Sequence, residues 1–258
     1  MILLSLLTAC LHFHEGLLPG EPPNAHFAMV RDSRIRYVVE GEGPTVVLVH
    51  GFASSLGVWE RLASELSQEY RVVRMDLKGF GWSDRSEGDY SPKAQSEIVW
   101  ALLDELGVDD FALVGHSWGS SVSLQMALDR PERIQKIVLY DGWVYEEQLP
   151  AFFIWSRNPV FGPTLFRLWY KERVDDRMAM AFYDPERYVT QDFAEHVEAT
   201  LDRPGSVRAA LAAVETQLYS EVQQQYASIE IPTAKDCNLL VCIGFDRFKL
   251  LVDSVRKS

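Results

Sequence analysis

The segment LVGHSWGSS, Leu113–Ser121, places a serine between two glycines in the pattern G-x-S-x-G. An apolar run precedes Ser117 and a helix-like segment follows it, so the pattern predicts a sharp turn from a strand into a helix. Such a turn exposes the serine hydroxyl at the carboxyl edge of a sheet, and glycines on either side avoid clashes with the neighbouring strand and helix. The residue types therefore predict a nucleophilic serine, which needs a base to accept its proton.

Candidates for that base are few, because the chain has six histidines and none follows His196. His196 lies in a polar helical pattern and is predicted to face solvent, although it could reach over a pocket. His12 and His14 have a spacing that could share a metal, but without carboxylate support they are predicted to be solvated. The sequence thus predicts no metal and no cofactor.

Composition restricts the class of protein. The chain has 258 residues, a net charge of −12, 47% hydrophobic and 24% charged residues, which is typical of one large globular domain. It contains no basic run of five residues, so nucleic acid is not expected as a partner. Oligomeric state is left open.

The first ten residues, MILLSLLTAC, form a short apolar run that ends at Cys10. This pattern is similar to a lipoprotein signal in which the cysteine is acylated, although it is short and lacks a preceding positive charge. One expectation is therefore a periplasmic or outer-membrane protein anchored to a membrane through Cys10. The alternative is an apolar N-terminus packed on a cytoplasmic protein. Cys237 and Cys242 are predicted to be buried thiols.

Alternating strand and helix patterns predict a mostly parallel sheet with helices on both faces. A hairpin is predicted around Asp32–Ser33, and a helix is predicted from Ser91, its N-cap, to Gly107. The predicted buried strands are 45–50, 70–76, 111–117, 134–141 and, as a further candidate, 238–246. The predicted organisation is a leader and linker over 1–25, a core over 26–143, a helical insertion over 144–225 and a core remainder over 226–258.

Aromatic residues are concentrated at the start of the predicted insertion. Such an apolar segment, lying over the carboxyl ends of the strands, commonly forms one wall of a substrate pocket. The alternative is that most of these rings only attach the insertion to the core. The candidate pocket residues are Trp143, Phe152, Phe153 and Trp155.

Four motifs together resemble the α/β-hydrolase family, in particular its small lidded serine esterase-like members. They are HGFASS, DLKGFGWSD, GHSWGSS and RPERIQKIVLYDG, in that order. The resemblance covers residues 28–233 and weakens to about 246. It implies an α/β-hydrolase fold with a helical lid, and it implies Ser117 as nucleophile.

The resemblance also implies roles around that serine. The backbone N–H groups of Phe52 and Trp118 match the family's oxyanion hole, and His50 matches a histidine that holds the loop after its strand. His116 is expected to point away from the nucleophile. Family members that open epoxides or displace halide carry aspartate at the position of Ser117, so a serine there favours acyl transfer.

The acid of the triad has two candidates in this resemblance. Asp246 lies in IGFDRF, which is similar to the family's glycine–acid turn and is favoured. Asp141 ends the preceding strand, where some members place the acid, but it is also interpreted as a turn cap. The base histidine is expected beyond the acid and is not found, so the segment after Thr233 is expected to be altered or shortened, with a divergent ending as the alternative.

These observations favour a carboxylesterase-like serine hydrolase acting on small apolar esters, with its rate impaired by the incomplete triad. Other serine-dependent chemistries of the same family remain open, namely prolyl aminopeptidase, carbon–carbon bond hydrolase and cofactor-free haloperoxidase activity. A descendant that binds a ligand without turnover is a third alternative.

Overall fold

The computed structural model describes residues 11–170, 191–219 and 222–236. Within them one sheet has the strands β1 (His26–Val30), β2 (Ser33–Glu40), β3 (Thr45–Val49), β4 (Arg71–Met75), β5 (Phe111–His116), β6 (Ile134–Tyr140) and β7 (Thr233–Asp236). The helices are α1 (Glu60–Leu66), α2 (Pro92–Glu105), α3 (Trp118–Asp129), α4 (Ala151–Ser156), α5 (Gly162–Tyr170), α6 (Gln191–Leu201) and α7 (Ser206–Glu215). Short 3-10 helices span Leu56–Trp59, Pro131–Arg133, Glu146–Gln148 and Gln223–Ser228.

The strand order is β1-β2-β4-β3-β5-β6-β7. The pairs β1–β2 and β2–β4 are antiparallel, and every pair from β4 through β7 is parallel. The carboxyl ends of β3, β4, β5 and β6 therefore meet at one edge of the sheet, which is where ligands bind in open α/β sheets. The predicted mostly parallel sheet is confirmed.

Helices cover both faces of this sheet, as the pleat of β3 shows. Val47 and Val49 pack into the cluster that contains α2 and α3, whereas Val46 and Leu48 pack into the cluster that contains α1. Successive side chains of a strand point to opposite faces, so a strand covered on both sides has to be apolar throughout. This explains the uninterrupted apolar run of β3.

Capping and turn residues predicted the helix α2 and the hairpin of β1 and β2. The Ser91 hydroxyl accepts a hydrogen bond from the N–H of Ala94 at the start of α2, and Gly107 follows the helix with φ of 62°. Arg31 and Asp32 have φ values of 47° and 60° in the turn between β1 and β2, as a two-residue hairpin turn requires.

The segment 11–25, predicted as a linker, forms neither a helix nor a strand in the structure, and side chains from it pack on the domain. The Phe13 ring stacks on Tyr90 at 5.7 Å, and Leu18 is buried. The N–H of His14 donates to the carbonyl oxygen of Arg85 at 3.1 Å. Burial of apolar side chains holds this segment in place.

The described part of 144–225 is helical and lies between β6 and β7 in the chain, and α7 packs against both α4 and α5. The strand that pairs with β6 is β7, which precedes the predicted strand 238–246 in the chain. The range 238–246 lies outside the described residues, and so do Cys10, Cys237, Cys242 and Asp246. Across the helices that the structure describes, none combines the length and apolarity needed to cross a membrane.

Candidate active site

Ser117 lies between the end of β5 and the start of α3 with φ of 50° and ψ of −122°. This backbone conformation is strained for a residue with a side chain, and strain of this kind persists where packing imposes it. A Cβ atom on Gly119 would lie 2.5 Å from the carbonyl oxygens of Val49 and His50, and one on Gly115 would lie 2.5 Å from the Ser123 hydroxyl. Close packing therefore explains both glycines of the motif.

The loop after β3 runs directly against Ser117. A Cβ atom on Gly51 would lie 2.9 Å from the Cβ of Ser117, so the next residue, Phe52, is brought beside the serine. Trp118 is the first residue of α3, where a backbone N–H has no partner within the helix. In the part of the chain described here, neither the N–H of Phe52 nor that of Trp118 donates to a protein acceptor.

His50 is completely buried and holds the two loops that surround the site. Its Nδ1 donates to the carbonyl oxygen of Gly51 at 2.7 Å, and its Nε2 accepts from the N–H of Leu77 at 3.0 Å. Burial lowers the pKa of His50, although Asp76 nearby opposes that effect. Both ring nitrogens are occupied, so His50 is a structural histidine.

His116 precedes the serine, and its ring packs between Trp59 and Tyr140, with centroid distances of 6.2 and 5.6 Å. Its Nδ1 is buried and has no hydrogen-bond partner in the described structure. Burial, followed by the proximity of His50, lowers the pKa of His116 to about 4. A histidine this weakly basic does not suit general-base catalysis near neutral pH.

Asp141 follows β6 and occupies the left-handed region, with φ of 47°. Its half-buried carboxyl accepts no hydrogen bond from a described residue, so the interpretation as a turn cap is not supported. Burial raises the pKa of Asp141. The turn from β5 through Ser117 into α3, which we call the elbow, is hydrogen-bonded to residues on either side of Asp141. The N–H of Ser117 donates to the carbonyl oxygen of Tyr140, and the N–H of Trp143 donates to that of Ser117. Asp141 therefore lies at the edge that carries Ser117.

Aromatic rings surround the loop that carries Phe52. Phe153, which is 2% exposed, lies 5.1 Å from Phe52 and 5.8 Å from Trp143, and Phe152 is half-buried beside it. Trp155, in contrast, is 60% exposed. Two residues apart on α4, Phe153 and Trp155 point to opposite sides of the helix.

The side chain of His196 and all of Asp246 lie outside the description, so neither is placed relative to Ser117. The sequence reasoning missed Asp76, whose buried carboxylate accepts from the N–H groups of Leu56 and Trp82 at 2.7 and 2.8 Å. The motif DLKGFGWSD contained this signal, because Gly81 has φ of 53° and its position leaves no room for a Cβ beside Asp76. No group of three or more potential metal ligands occurs within the described ranges.

Comparison with known sequences identifies the family. The sequence profile described as the alpha/beta hydrolase fold matches residues 44–227. The chain belongs to the α/β-hydrolase family. It is 30% identical over 213 residues to a soluble epoxide hydrolase from Corynebacterium sp. (strain C12), a match covering 77% of this chain and 74% of that protein.

Another α/β-hydrolase relative is a fluoroacetate dehalogenase from Burkholderia sp., 34% identical over 146 residues. That match covers 55% of this chain and 46% of the dehalogenase, so the chain spans about half the length of this relative. Among solved structures, Cfl2 from Burkholderia cenocepacia superposes with a TM-score of 0.73 at 24% identity, covering 87% of this chain and 82% of that one. At this identity the structural likeness supports the fold alone.

Proposed function

We propose that this chain is a serine hydrolase that cleaves small apolar esters through an acyl-enzyme on Ser117. The observation that supports the proposal is the strained serine at the start of α3, with the free N–H groups of Phe52 and Trp118 beside it. The substrate is assigned from the aromatic rings around Phe52, which suit an apolar acyl or alkyl group.

In the proposed reaction the Ser117 Oγ attacks the ester carbonyl carbon and forms a C–O bond while its proton passes to a base. The negative charge that develops on the carbonyl oxygen is stabilised by the N–H groups of Phe52 and Trp118, a contribution of about 3 kcal/mol per donor. The bond to the alkoxy group then breaks, the alcohol leaves with a proton, and water hydrolyses the acyl-enzyme. His50 and His116 are excluded as the base by their burial and lowered pKa values.

The test is covalent labelling together with turnover. We expect a fluorophosphonate probe to label the full chain, and the Ser117→Ala variant to lose the label. Ser123→Ala is the matched control, because its hydroxyl is buried in the same helix and donates to the carbonyl oxygen of Gly119. Hydrolysis of p-nitrophenyl acetate and butyrate should likewise depend on Ser117. Unchanged labelling of Ser117→Ala would exclude the proposal.

The relatives' names suggest competing reactions that the same preparation can test. A serine at the elbow predicts no fluoride release from fluoroacetate and no opening of an epoxide such as styrene oxide. Either reaction, if abolished by Ser117→Ala, would contradict the assignment to ester hydrolysis.

Ligand binding without turnover is the second candidate, since no described histidine suits the role of base. Probe labelling without p-nitrophenyl ester turnover would favour it. Turnover at ordinary enzymatic rates, on the order of 1 per second or faster, would exclude it.

A further inference from the structure

A cleft of about 400 Å³ opens on the side of the domain where the N-terminal segment crosses the helices. We call it the strap cleft. Its walls come from residues 12–14, from α5 and from the connection between α6 and α7. Two arginines, Arg167 and Arg203, stand in its lining against one acid, Asp202, and His12 and His14 lie beside them. This balance is basic in a chain whose net charge is −12.

Two guanidinium groups meet beside this cleft, which only Arg203 of the two lines. Arg85 Nη2 and Arg203 Nη1 both donate to the carbonyl oxygen of Gly81, at 2.7 and 2.9 Å. The remaining bonds of Arg85 go to the carbonyl oxygen of Ser83 and the hydroxyl of Ser206. Within the described ranges, neither arginine contacts a carboxylate. Two like charges thus converge on one carbonyl oxygen, and the nearby Asp76 carboxylate, which attracts both groups, opposes their repulsion only in part.

The two arginines differ in accessibility. Arg85 is 1% exposed, whereas Arg203 is half-buried, lines the cleft and lies over the ring of Trp82, 3.5 Å from its centroid. Burial lowers the pKa of Arg85, and burial followed by the repulsion from Arg85 lowers the pKa of Arg203 to about 10. An anion in the cleft would relieve this repulsion.

The rest of the lining indicates what the anion would carry. Phe13, Leu201 and Val207 add apolar surface beside the basic groups. The planar guanidinium of Arg203 matches the paired oxygens of a carboxylate or a phosphate, and the volume falls within the range of small-molecule sites.

We propose that the strap cleft binds a small organic anion, held by Arg203 through its carboxylate or phosphate group. The site is independent of Ser117 and does not rest on the proposed esterase activity. Because its walls belong to three segments that are distant in the chain, an occupant would join the N-terminal segment to the helices α5 to α7. Binding should therefore raise the temperature at which the protein unfolds.

The experiment compares inorganic phosphate, butyrate and succinate with chloride at constant ionic strength, by thermal unfolding and titration calorimetry of the full chain. We expect a saturable rise in the unfolding temperature with phosphate or a carboxylate and none with chloride; which anion binds identifies the group. Arg203→Gln should weaken binding at least tenfold. Arg130→Gln is the matched control, because Arg130 also lies over a tryptophan ring, that of Trp100, and pairs with Asp104 elsewhere on the surface.

Arg203→Lys keeps the positive charge but lacks the planar guanidinium, so it should bind the anion with intermediate affinity. This variant keeps the proposal testable if Arg203→Gln does not fold. Ser117→Ala should bind the anion like the unmodified chain. An unfolding temperature equally insensitive to phosphate, butyrate and succinate would overturn the proposal, and so would unchanged affinity in a folded Arg203 variant.

Discussion

The ring of Phe153 lies 5.1 Å from the ring of Phe52, centroid to centroid. This contact joins α4 to the loop that carries one of the two proposed oxyanion donors. Phe153 is buried and also touches Trp143. In the proposed acyl-enzyme on Ser117, this ring would therefore limit the length of the acyl group.

Phe153→Ala should shift the ester preference from acetate toward longer chains such as hexanoate, because it opens a cavity beside Phe52. The substitution should also lower the free energy of unfolding by about 3–5 kcal/mol, as for other buried phenylalanines. The measurement is kcat/KM for a series of p-nitrophenyl esters, with the exposed neighbour Ile154→Ala as control. An unchanged chain-length profile in a folded variant would show that Phe153 does not limit the acyl group.

Gly119→Ala should prevent correct folding of the elbow. Its Cβ would lie 2.5 Å from two backbone carbonyl oxygens, which cannot move without displacing β3. We expect a loss of about 3 kcal/mol or more, the upper part of the range for overpacking. Gly57→Ala is the control, since its nearest neighbour is a side-chain oxygen at 3.4 Å. Equal unfolding midpoints of the two variants in urea would contradict this account.

The stability of the protein should fall as the pH drops from about 6.5 to about 4. Burial lowers the pKa of His116 to about 4 in the folded chain, so in this interval the unfolded chain binds a proton that the folded chain does not. One such histidine can change the free energy of unfolding by at most about 1.4 kcal/mol per pH unit, because it accounts for one proton.

Urea unfolding between pH 4.5 and 7.5 measures this slope. His116→Gln should reduce the dependence of the unfolding free energy on pH. Burial also lowers the pKa of His50, so His50 accounts for part of the dependence that the variant retains. A slope that His116→Gln does not change would show that His116 is protonated as readily in the folded state.

Phe13→Ala should destabilise the protein by about 2 kcal/mol, less than a fully buried phenylalanine, because its half-buried ring stacks on Tyr90 and lies beneath the guanidinium of Arg208. Leu17→Ala, in the same segment but 68% exposed, is the control and should change little. Thermal unfolding and limited proteolysis of the N-terminal segment are the measurements. A Phe13→Ala variant as stable as the unmodified protein would mean that this ring does not contribute to stability.

Much of the fold could be predicted because its signals are local. The apolar run of β3, the cap of α2 at Ser91 and the glycines around Ser117 are each expressed within a few neighbouring residues. Helix and strand periodicity, capping and positive φ depend on short-range sterics and hydrogen bonds. The roles expected of Phe52 and Trp118 beside Ser117 came instead from the resemblance to the family.

By itself, then, the sequence determined the strand–serine–helix turn, the mostly parallel sheet of the core and the scarcity of histidines. Only the tertiary structure decided that Trp155 faces solvent, that residues 11–18 pack on the domain, and that Arg85 and Arg203 converge on Gly81. Gly81 and Arg203 are 122 positions apart, and no spacing or periodicity connects them. Contacts of this kind arise when packing of whole elements brings distant segments together, and a single sequence carries no local signature of them.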